Sequence, residues 1–171
     1  MAEEIIVNKV AQSGLITLQL EDFIPNVDIA ILDLKDFLFR ELMLKEKEFR
    51  TSLKEHNWST YEGKSVGIMC STEALMPQWA WMLAASYLQP VAKLVVFGDT
   101  GEVLRTVVRE AISKLRTEDY RDERVVVKGC GDEPVHASAY LEIVLKLQPV
   151  VKSIMYGEPC STVPIWKNTV K

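Results

Sequence analysis

No run of lysine or arginine occurs in this chain, and its 20 basic residues face 24 acidic ones, a net charge of -4. That argues against a nucleic-acid or anionic-membrane surface built from bulk positive charge and leaves only a local basic patch open. Long apolar runs are missing too. The longest, 74–88, is interrupted by Pro77, Gln78 and Ser86, and it falls short of the roughly 20 residues a bilayer span needs. Cysteine is scarce: Cys70, Cys130 and Cys160 are odd in number and far apart. Such spacing builds no disulfide framework and suits a reducing compartment, with the cytoplasm as the expected location. The opening MAEEIIVNKV has acids where a secretory signal would carry basic residues, so no leader is expected. Neither G-x-G-x-x-G nor G-x-x-x-x-G-K-[ST] is present, which removes the sequence support for a Rossmann fingerprint or a P-loop.

What is there is ample for a core. The 171 residues are 48% apolar and 26% charged, the balance of a globular protein of one ordinary domain. The reading is a single α/β domain over 1–171, with a lead-in at 1–64, a core at 65–158 and a tail at 159–171. In the lead-in, 5–12 reads as a short helix. The segments 15–20 and 29–34 alternate like strands and are expected to pair as a hairpin. Residues 45–56 read as a surface helix with a Glu46–Arg50 pair, and His56 and Trp58 complete a polar cluster with no assigned function.

From Ser65 strands and helices alternate: strands at 66–69, 94–97, 125–127 and 154–156, helices at 77–88, 101–115 and 136–147. That order predicts a mostly parallel sheet with helices packed on it. Pro77 fits a first helical turn, and Asp99 with Glu102 has the form of a helix cap. The core also repeats itself. Leu88-Gln89-Pro90-Val91 recurs as Leu147-Gln148-Pro149-Val150, and Ala80, Lys93, Phe97 and Gly98 align with Ala139, Lys152, Tyr156 and Gly157 at the same offset. Cys70 and Glu73 align with Cys130 and Glu133 one residue out of step. The reading is a duplicated strand–helix–strand unit, 65–99 and 124–158. The helices 77–88 and 136–147 have almost no polar face, so they are covered either by the rest of the chain or by a second subunit in a homodimer.

Ligands of open parallel sheets bind at the carboxyl ends of strands. On one sheet, that rule gathers Cys70, Glu73, Asp99, Thr100, Cys130, Glu133 and Glu158 at a common rim, the expected ligand-binding set. Three chemistries compete there. Cys70, Cys130, His136 and Cys160 are ligand types that suit zinc, without the close spacing of zinc motifs. A thiol ahead of a helix start, with His136 as base, is a candidate nucleophile, opposed by the acids Glu73, Asp132 and Glu133. The hydroxyls and amides at Ser71-Thr72 and Asp99-Thr100-Gly101 suit a small molecule or anion. Buried, inert cysteines are the plain alternative.

The stretches 44–50, His56-Asn57-Trp58-Ser59, Leu88-Gln89-Pro90-Val91 and, most specifically, 152–164 (KSIMYGEPCSTVP) resemble an uncharacterised bacterial family, domain of unknown function 2480. The resemblance runs from about residue 3 to 165. It implies a small stand-alone cytoplasmic protein and brings no activity, cofactor or site residue, so whether the protein is an enzyme stays open. Two functions remain: a small-ligand or metal-binding protein with its site at the strand ends, or a non-catalytic interaction protein that self-associates through helices 77–88 and 136–147.

Overall fold

The computed structural model describes residues 14–128, 135–158 and 160–169. In chain order they form β1 (Leu15–Gln19), β2 (Ile29–Asp33), α1 (Glu46–Glu55), β3 (Ser65–Met69), α2 (Gln78–Leu88), β4 (Leu94–Phe97), α3 (Thr100–Ser113), β5 (Arg124–Lys128), α4 (Ala137–Leu147), β6 (Ser153–Glu158) and β7 (Ser161–Lys167). The expected helix at 5–12 lies outside the described residues.

The chain divides into two compact units. A contiguous unit comprises 26–106, and a split unit comprises the residues up to 25 with those from 107 onward. Each has its own sheet. In the contiguous unit the order is β2-β3-β4, all parallel; in the split unit it is β1-β5-β6-β7, parallel except for antiparallel β7. The α/β class and the parallel pairing expected from the alternation of elements are therefore present, but on two sheets rather than one. The lead-in strands form no hairpin: β1 pairs with β5 and β2 with β3. The tail contains a strand, β7, which closes the outer edge of β6.

Local chemistry explains the elements. In α1, Phe49 and Leu53 sit four residues apart and are wholly buried, while Arg50 Nε donates to Glu46 at 2.9 Å on the exposed side. The expected polar cluster is otherwise an aromatic one. The His56 ring lies against Phe37, Trp58 and Tyr61, and Trp58 Nε1 donates to the Leu53 carbonyl at 2.8 Å. In the contiguous unit Leu32, Val66 and Ile68 meet Phe49 and Leu53 of α1 and Ala80, Ala84 and Leu88 of α2 in one core. Small alanines on the inner stripe of α2 let that helix approach the sheet closely. Gly67 is required by close approach: a Cβ there would stand 2.5 Å from the Gly98 carbonyl oxygen and 3.1 Å from Val103.

The two units repeat one plan. Strand β3, helix α2 and strand β4 begin 59 residues before β5, α4 and β6 respectively. The connections match bond for bond. The Gly63 amide donates to the Val91 carbonyl and the Asp122 amide to the Val150 carbonyl, both at 2.9 Å. The Lys93 amide reaches the Lys64 carbonyl at 2.8 Å, and the Lys152 amide reaches the Glu123 carbonyl at 2.7 Å. The recurrence extends beyond 65–158, because β1 and β2 are registered on β5 and β3 in the same way. Leu15 pairs with Arg124 and Ile29 with Ser65, and each strand runs into a single 3-10 turn, Leu20–Phe23 or Leu34–Phe37. Among the described residues, the contiguous sheet lacks one strand that its counterpart has: nothing corresponds to β7 beyond β4.

Candidate ligand-binding cleft

The carboxyl ends of β3 and β4 border a cleft of about 400 Å³ within the contiguous unit. Its apolar lining is Met69, Ala74, Met76, Trp81 and Phe97, and its polar groups are Cys70, Thr72, Asp99 and Glu102. The aromatic pair is set edge to face, ring centres 5.0 Å apart, and Phe97 is 72% exposed. The half-buried Cys70 Sγ lies 3.4 Å from Thr72 Oγ1.

Three local devices hold this rim. Asp33, at the end of β2, accepts from the Lys35 and Ser71 amides, each at 3.0 Å, which ties the strand exit of β3 to that of β2. Burial pushes the Asp33 carboxyl up, but hydrogen bonds from Ser71 and Lys35 and the Lys35 charge outweigh it, so the carboxyl sits below its ordinary value. Gly98 turns the chain out of β4 with φ of 129°, where a Cβ would strike the Glu102 side chain. Asp99 then caps α3, accepting from the Glu102 amide at 3.0 Å. The expected Asp99 cap is therefore present, and the Glu102 side chain pairs with Arg105.

Of the ligand-binding set read from the sequence, Cys70 and Asp99 line this cleft. Thr100 is the first residue of α3 and Glu73 an exposed loop residue; neither lines it. Cys130 and Glu133 lie outside the described residues. Glu158 ends β6 on the other sheet, where Lys128 Nζ is 3.1 Å from its Oε2. One sheet would have made one rim; two sheets make two, so strand-end position alone does not join Glu158 to Cys70 and Asp99. His136 caps α4, its Nδ1 3.2 Å from the Ser138 amide and 2.9 Å from Ser138 Oγ. Cys160 is exposed in the turn before β7. Among the described residues no group of three or more His, Cys, Asp or Glu side chains is placed to hold a metal ion.

Sequence reading missed Asp33, Trp81, Phe97 and the two methionines of the cleft. Phe97, the last residue of a strand ahead of a glycine, obeys the same strand-end rule that found Asp99. Trp81 had a signal in the repeat, since Tyr140 and Tyr156 occupy the positions of Trp81 and Phe97 and make the same edge-to-face contact, 5.9 Å between centres. The split unit has a second, almost wholly apolar groove of about 480 Å³ between α4 and strands β6 and β7, lined by Tyr140, Leu141, Tyr156 and Ile165 among others.

Fold and rim define a two-unit α/β protein of largely parallel sheets, with a mixed apolar and acidic cleft at the strand ends of one unit. Residues 4–168 match the family described as Protein of unknown function (DUF2480), and the chain belongs to that family. No curated protein and no solved structure matches it. No helix among the described residues is long and apolar enough to cross a membrane.

Proposed function

We propose that the protein binds a small organic molecule with a flat apolar body and a neutral or cationic hydrogen-bond-donating group in the cleft at the ends of β3 and β4. The observation that carries this reading is the meeting of an open aromatic pair, Trp81 and Phe97, with the carboxylates of Asp99 and Glu102 at one rim. A cleft of some hundreds of cubic ångströms, mostly apolar with a few convergent polar groups, is the usual form of a small-ligand site. The charge decides the ligand class. A helix start attracts anions, but here Asp99 takes the amide an anion would use, and Glu102 adds a second carboxylate. Arg105 pairs with Glu102 and lies within electrostatic reach of Asp99, so one cation stands against two carboxylates.

Benzamidine, benzamide and benzoate share one ring and differ in charge, so ligand-observed NMR with the three probes separates the readings. Benzamidine binds best and benzoate worst. Phe97→Ser and Asp99→Asn each weaken benzamidine several-fold, while Tyr156→Ser leaves it unchanged. Equal binding of all three probes, or binding indifferent to Phe97, rejects this function.

A further inference from the structure

We infer that the outer edge of β4 is a docking edge for a second copy of this chain, which adds its own β4 antiparallel to form one six-stranded sheet across a two-fold axis. The recurrence of the two units supports this. In the split unit the strand equivalent to β4 is β6, and its outer edge carries antiparallel β7. In the contiguous unit the chain leaves β4 through Gly98 and Asp99 straight into α3, so no local segment follows to fill that place.

The edge is equipped for pairing. The amides of Leu94 and Gly98 donate inward to the Lys64 and Ile68 carbonyls of the β3 side. Because a strand alternates, those of Val95 and Phe97 point outward. Edges that avoid pairing carry lysine, proline or inward charges; β4 reads Leu-Val-Val-Phe and has none. An uncharged strand also meets itself without like-charge repulsion, with Val95 of one copy hydrogen-bonded opposite Phe97 of the other and Val96 facing its own copy at the two-fold axis. Apolar surface continues beside the edge. Met82 of α2, 72% exposed, holds the position of Leu141 of α4, which shares a groove with Ile165 of β7. Met82 therefore faces the space that an added strand would occupy. A symmetric contact of this kind is the commonest way for a chain to close an oligomer.

Sedimentation equilibrium from micromolar to submillimolar protein, with backbone hydrogen exchange on the same samples, tests the inference. Wild type reaches twice the 19.4 kDa chain mass, and the Val95 and Phe97 amides gain protection as it does. Phe97→Lys, at an exposed site, and Val95→Pro, which removes an outward amide, each weaken association about tenfold or more. Leu141→Lys, the control on the other unit, leaves the mass unchanged. Circular dichroism checks that each variant folds. A wild type monomeric throughout overturns the inference. So does a dimer that survives Phe97→Lys, or one that forms without protecting those two amides.

Discussion

Asp33 shows how one side chain sets the rim. Its carboxylate accepts two amides, one from the turn after its own strand and one from the exit of β3, and the ionised form is the one those bonds favour. The folded-state pKa lies below the unfolded value near 4. The carboxylate therefore contributes stability above that pH and loses it as pH falls through the folded value. Asp33→Asn should cost ~1 kcal/mol in urea unfolding at pH 7, and the gap between variant and wild type should close on acidification below about pH 4. A gap that persists unchanged in acid would mean that the charge plays no part. Position 33 was legible only as one residue of an alternating strand, because its partner Ser71 lies 38 residues away and nothing local announces the contact. Cys70 and Asp99 were legible because a general rule places ligands at strand ends. That rule could not separate them from Glu158, since sequence does not state which strands share a sheet.

At the scale of elements, alternation and helix periodicity identified β3, α2, β4, α3, β5, α4 and β6 within a few residues, because each buries a face whose spacing is written in the chain. Pairing is a different kind of information. Residues 15–20 and 29–34 are strands, but their partners start about 110 and 35 residues further on, at Arg124 and Ser65. A period of two fixes a strand's faces without naming its neighbour. Strand β7 was hidden by Pro164, which is tolerated because the strand is at an edge and its register shifts between Ile154 and Met155. The recurring turns make a test at this scale. Gly63 and Asp122 hold equivalent positions with φ of 70° and 60°, and a Cβ on Gly63 meets nothing within 4 Å. Gly98 has φ of 129° and no room. Gly63→Ala should therefore cost about 1 kcal/mol or less, and Gly98→Ala clearly more, by thermal or urea unfolding. The reverse order would show that the turn geometry is wrong.

For the whole molecule, two units built on one plan differ at the end and at the outer edge of their second strand pair. Among the described residues, one ends its second strand pair in a cleft with no further strand paired to β4, and the other has an added strand on the outer edge of β6 and an apolar groove beside α4. Each unit repeats an aromatic contact between helix and strand end, as Trp81–Phe97 and as Tyr140–Tyr156, but among the described residues only the first lies in a cleft with two carboxylates. The repeat was visible as Leu-Gln-Pro-Val and its companions; its extension to β1 and β2 was not, because the contiguous unit interrupts the split one. The decisive measurement is amide chemical-shift mapping of the full chain titrated with benzamidine. The cleft account predicts saturable shifts at 69–76 and 97–102. Shifts gathered instead around Tyr140, Leu141 and Ile165, or none at all, would contradict it.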